Sequence, residues 1–110
     1  MSSIDLNVPS ADGNGTASTW KGGWASIHFE GTDYDGGTFT LQVSWDAGTT
    51  YHTVVDDLGT NVAYTANGYA NITLGGRPLI RTNLAGAAGA ANDVEVGLEY
   101  GFAPTRPGER

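Results

Sequence analysis

Thr38-Phe39-Thr40-Leu41-Gln42-Val43-Ser44-Trp45-Asp46-Ala47-Gly48-Thr49-Thr50-Tyr51-His52-Thr53-Val54-Val55 reads as a β-hairpin whose corner is written into the chain. Phe39, Leu41, Val43 and Trp45 alternate with Thr40, Gln42 and Ser44, and Tyr51, Thr53 and Val55 alternate with His52 and Val54, the period of strands with one buried face. Between the runs, Ser44 to Tyr51 follows the Asp-box pattern, Ser/Thr-x-Asp-x-Gly-x-Thr-aromatic. Asp46 is placed to accept hydrogen bonds from the N–H groups that follow it, Gly48 to supply a positive φ, and Tyr51 to fold back over the turn. Such a corner specifies a shape and leaves activity open.

More strands lie on either side. Upstream, Trp24-Ala25-Ser26-Ile27-His28-Phe29-Glu30 puts Ala25, Ile27 and Phe29 on one face and Trp24, Ser26, His28 and Glu30 on the other. Downstream, Val62–Thr65 and Tyr69–Leu74 flank Ala66-Asn67-Gly68, whose Asn-Gly pair is the signature of a type I′ hairpin. Pro78–Leu84 follows, and then Val94, Val96, Leu98 and Tyr100 alternate with Glu95, Gly97 and Glu99. With a short strand at Ile4–Val8 this makes seven or eight strands, so the expected fold class is all-β, an antiparallel two-sheet sandwich with the jelly roll among its forms. The expected core is Ile27, Phe29, Phe39, Leu41, Val43, Val54, Val62, Ile72, Leu74, Ile80, Leu84, Val94, Val96 and Leu98, a thin set for so glycine-rich a chain.

Residues 1–19, rich in Ser, Gly, Asp and Asn, read as an N-terminal arm or loop carrying that short strand; 20–101 is the sandwich domain, and 102–110, with Pro104, Arg106, Pro107 and Arg110, is a flexible tail. Both ends suit contacts with a neighbouring chain. Leu84–Asp93, with glycines every third residue and no apolar stripe, reads as a loop rather than a helix. One Asp box in 110 residues cannot make a propeller.

Composition narrows the function. A formal charge of −7 with no basic run repels a phosphate backbone, so nucleic acid is not an expected partner. Without cysteine there is no disulfide, thiolate cluster or thiol nucleophile. The opening lacks a signal-peptide pattern and no stretch is long enough to span a bilayer, so neither secretion by the general route nor a membrane partner is expected. His28 and His52 have no nucleophile elbow beside them, so neither enzyme chemistry nor a catalytic residue is expected. Asp33-Tyr34-Asp35-Gly36-Gly37 resembles the opening of a calcium loop but lacks the distal Glu, and with Asp56-Asp57 it reads as turn chemistry; no metal or cofactor is expected. The interaction candidates are Trp20, Lys21, Trp24, Tyr34, Arg106 and Arg110. Of the tryptophans bracketing Lys21-Gly22-Gly23, Trp24 is the one expected in the core and Trp20 the one expected at a contact.

Trp20-Lys21-Gly22-Gly23-Trp24, the run Gly36–Ser44 into the Asp box, Ala66-Asn67-Gly68 and Ile80-Arg81-Thr82-Asn83-Leu84-Ala85-Gly86-Ala87 together resemble small β-rich virion proteins of tailed bacteriophages. The resemblance covers roughly residues 20–90 and departs at Tyr51, where Trp is commoner, and in the Pro/Arg tail. It implies a virion structural protein made in the host cytoplasm, a capsid cement or decoration protein. Its partners would be the major capsid protein and further copies of itself in a homotrimer. The alternative is a carbohydrate- or receptor-binding module of a tail or head fibre, motivated by Trp20, Trp24, Tyr34 and Tyr51.

Overall fold

The computed structural model describes residues 2–21, 23–89 and 92–101; Arg106 and Arg110 lie outside them. Among the described residues every regular element is a strand: β1 (Ser2–Leu6), β2 (Gly13–Asn14), β3 (Ser18–Thr19), β4 (Trp24–Glu30), β5 (Thr38–Ser44), β6 (His52–Thr53), β7 (Ala63–Tyr64), β8 (Gly68–Thr73), β9 (Leu79–Ala85) and β10 (Glu95–Tyr100). They form two packed antiparallel sheets, a 4-stranded one ordered β1-β10-β4-β8 and a 6-stranded one ordered β2-β9-β5-β6, with β3 also on β9 and β7 also on β5. The protein is an all-β sandwich.

The order has a simple logic. β2 and β3 share one side of β9, and β6 and β7 share one side of β5, so each couple fills a single place in its sheet. Counting places along the chain, the first pairs with the last (β1 with β10), the second with the seventh (β2 and β3 with β9), the third with the sixth (β4 with β8), and the fourth with the fifth (β5 with β6 and β7). These are the pairings of one long antiparallel ribbon folded across itself. Apart from the links inside the β2–β3 and β6–β7 couples, the Asp-box corner alone keeps the chain in one sheet, and the other connections cross from sheet to sheet. The hairpin of residues 38–55 is thus the tip of the ribbon.

Asn67-Gly68 behaves differently from its signature. β7 pairs with β5 in one sheet and β8 with β4 in the other, so the dipeptide sits at a sheet crossing and not in a hairpin. Neither residue has the positive φ of a type I′ turn. Gly68 is needed for space, because a Cβ there would stand 2.8 Å from the Tyr64 ring. The Tyr64 hydroxyl donates to Tyr69 O at 3.1 Å, and Asn67 Oδ1 accepts from Gly31 N at 2.8 Å.

Every predicted core position is buried, and Leu6, Trp20, Ala25, Ala70 and Tyr100 join them, so the core is fuller than expected. The tryptophan assignment is reversed. Trp20 is 0% exposed and Trp24 41% exposed. Trp20 lies where the chain leaves β3 for β4, so its indole falls between the layers, edge-on to Tyr100 at 5.0 Å, and its Nε1 donates to Leu74 O at 3.2 Å. Removing such a side chain typically costs about 3–5 kcal/mol, so Trp20 is a core anchor and not a contact residue. Trp24 opens β4 with the outward parity of Ser26 and His28. Trp45, expected on the inner face, is exposed, because Ser44 turns inward there to plug the corner.

The N-terminal segment also departs from expectation. β1 closes one sheet against β10, and β2 and β3 close the other against β9, so residues 2–19 belong to both layers and are not a free arm. The crossing between them is tight: Gly15 N donates to Thr82 O at 2.8 Å, and the buried Thr82 hydroxyl donates to Asn7 O at 2.9 Å.

Candidate docking face

The Asp-box corner and the outer face of the four-stranded sheet both present side chains the core does not consume. At the corner, the Ser44 hydroxyl donates to Asp46 Oδ1 at 2.7 Å and accepts from Gly48 N at 2.9 Å, while the same Asp46 oxygen accepts from Thr50 N at 2.8 Å. Held first by the Ser44 hydroxyl and then by the Thr50 amide, the Asp46 carboxyl is pushed down to about 2. Tyr51 does fold back, its ring lying near Gly48 and carrying the Arg81 guanidinium 3.5 Å above its centroid. Arg81 Nε donates to Gln42 Oε1 at 2.8 Å, which fixes the pair. The Tyr51 face is therefore occupied.

The aspartates of the 33–37 turn are occupied by amides. Asp33 Oδ1 accepts from Asp35 N at 2.8 Å, and Asp35, in a left-handed conformation at φ 55°, accepts from Gly89 N at 3.1 Å. Asp93 accepts from the amides of Thr32 and Asp33 and from the Thr32 hydroxyl, which lowers its pKa, the hydroxyl contributing most. Asp56 likewise accepts from Leu58 N and Thr60 N, both at 2.9 Å. Among the described residues no three His, Cys, Asp or Glu side chains come together to hold a metal ion. His28 and His52 lie in different sheets, and Ser26 and Ser44 donate to Asn71 and Asp46 instead.

The outer face of the four-stranded sheet is built differently. On β4, Trp24, Ser26, His28 and Glu30 point outward; on β8, Tyr69, Asn71 and Thr73; on β10, Glu95, Gly97 and Glu99; on β1, Asp5. Gly97 lies beside His28 in the register, and a Cβ there would stand 2.5 Å from the imidazole. A Cβ on Gly101 would stand 2.0 Å from the Trp24 indole, so that ring too lies across the neighbouring strand. Each ring has one side on glycine backbone and leaves the other to solvent. Glu99 projects between them, opposite Ser26. Tyr69, across from His28, is 81% exposed. Leu58, on the loop pinned by Asp57 N to Asn71 O, lines the same hollow as Tyr69.

Of the sequence candidates among the described residues, Trp24 alone belongs to this face. Lys21 is exposed beside it in sequence, and its N–H donates to the Tyr100 hydroxyl at 3.0 Å. Tyr34 is half-buried, stacked edge-on against Phe39 at 5.7 Å and donating to Asn67 Oδ1 at 2.9 Å; burial, then the Asp93 and Glu30 carboxylates, push its hydroxyl pKa up. Sequence reading passed over Tyr69, Leu58, Glu95 and Glu99. The Glu95-Gly97-Glu99 alternation was a usable signal, since glycine on the outward parity of a strand leaves room for a neighbour's ring.

No protein-family model matches the chain, and neither a curated protein nor a solved structure shows significant similarity to it.

Proposed function

We propose that this protein acts by binding and not by catalysis, as a virion structural protein of a tailed bacteriophage, a cement or decoration protein seated on the outer face of the capsid shell. The observation that carries the binding reading is the outer face of the four-stranded sheet, where Trp24, His28 and Tyr69 stand exposed on a rigid ladder. Aromatic side chains are enriched at protein contacts relative to the rest of a protein surface. The virion assignment rests on the resemblance of residues 20–90, and the first-with-last ribbon order supports reading the sandwich as a jelly roll. A small rigid module gains avidity on a shell by repetition, as a homotrimer bridging adjacent subunits, even where each contact is weak.

Purified protein mixed with capsids stripped of it is expected to rebind stoichiometrically and to raise the temperature at which the shell breaks. If it does neither, the cement assignment fails. The second reading, a glycan-binding module, is favoured by Trp24 alone among its original aromatics, since Trp20 is buried, Tyr34 half-buried and Tyr51 covered by Arg81. A glycan array reports on it directly.

A further inference from the structure

The two sheets differ in charge. β1, β4, β8 and β10 contain Asp5, Glu30, Glu95 and Glu99 and neither lysine nor arginine. β2, β3, β5, β6, β7 and β9 contain Arg81 and no carboxylate. All four acids point outward, on the face that carries the exposed rings. Glu30 and Glu95 are directly opposed in the register, an arrangement of like charges that weakens a sheet. Among the described residues no cation pairs with any of the four carboxylates.

Along β10 the outward positions read carboxylate, ring, carboxylate, ring: Glu95, the His28 imidazole over Gly97, Glu99, and the Trp24 indole over Gly101. Successive places are about 7 Å apart at strand spacing. A guanidinium or ammonium laid on the open side of an indole is attracted by the ring's electron density, and a carboxylate one place away meets its N–H groups. Anionic ligands are repelled here, and a neutral hydroxyl hydrogen-bonds to the acids without the charge attraction that a cation gains. We infer that this face docks an arginine- or lysine-bearing protein surface, with Trp24 and Glu99 receiving one basic side chain and the Glu30–Glu95 pair a second. The inference deepens the binding reading above and rests on it, naming the face used and the chemistry of the partner.

The test uses two probes, capsids stripped of the protein and an immobilised oligoarginine peptide, with a neutral-glycan array as the competing ligand class. Trp24→Ala and the double substitution Glu95→Gln/Glu99→Gln are each expected to weaken oligoarginine binding about tenfold, the second also flattening its salt dependence. Trp45→Ala, which removes an exposed tryptophan elsewhere, should leave it within about twofold. Unchanged circular dichroism separates these effects from misfolding. Oligoarginine binding that survives both substitutions, or selective capture of neutral glycans that survives Glu95→Gln/Glu99→Gln, overturns the inference. If wild type binds capsids and both variants bind them equally well, the face is wrong while the cement reading stands. If wild type binds oligoarginine in a Trp24-dependent way and ignores capsids, the face stands and the cement reading falls.

Discussion

At the scale of single residues the Asp-box corner combines strong local bonding with local strain. Ala47 sits at φ 60° and Gly48 at φ 93°. The left-handed region costs a residue with a Cβ about 1–2 kcal/mol, and glycine's extra unfolded-state freedom gives back roughly 0.5–1 of that. Ala47→Gly is therefore expected to stabilise the fold by about 0.5–1 kcal/mol, read as a higher denaturant midpoint at unchanged slope. Asp46 titrates near 2 in the folded protein, below its ordinary 3.8, so its contribution is complete above about pH 4 and is lost as the pH falls toward 2. Asp46→Asn keeps a carbonyl acceptor but not the charge. Its stability deficit relative to wild type is expected to shrink over that pH window in acid-unfolding curves. The bonding role of Asp46 was legible because it is local to the octapeptide, whereas the inward turn of Ser44 ran against the alternation and was not. The strain at Ala47 was not, since alanine carries no left-handed signature. For Trp24, strand parity pointed outward while hydrophobicity pointed inward, and parity prevailed because Trp20 already filled the space between the layers.

Among elements, the long strands β4, β5, β8, β9 and β10 were readable from alternation, and β6 and β7 fall inside the expected runs Tyr51–Val55 and Val62–Thr65, whereas β2 and β3, each only two residues, were not. Such pieces exist through pairing with distant strands and leave no period in the sequence. Asn67-Gly68 shows the same limit, since its preference was for a hairpin, but β4 captured β8 and the chain crossed layers. Gly15 tests the crossing that ties the N-terminal segment into both sheets. A Cβ there would lie 2.1 Å from Asn7 O and 2.8 Å from Thr82 Oγ1, both held in place. Gly15→Ala is expected to destabilise by about 1–3 kcal/mol in chemical denaturation, although an alanine at an open position such as Gly23 meets nothing within 4 Å.

For the whole molecule, net charge was plain from composition, but the gathering of the strand-borne carboxylates on one sheet was not, because it depends on which strands become neighbours. Asp5, Glu30, Glu95 and Glu99 are scattered along the chain and meet only when β1, β10 and β4 assemble. The docking prediction therefore belongs to this scale, and its salt dependence reports the summed field of the face more than any one residue. The first-with-last pairing has a mechanical consequence as well. Ser2 lies opposite Tyr100, so the start of β1 and the end of β10 stand side by side at one end of their ladder. Tension applied through those two strand ends would open the ladder one rung at a time, like a zipper, while load borne across the face that β10 and β4 share falls on all of their rungs together. The architecture resists force when gripped by its broad sides and yields when tugged by its ends, which favours attachment through a face.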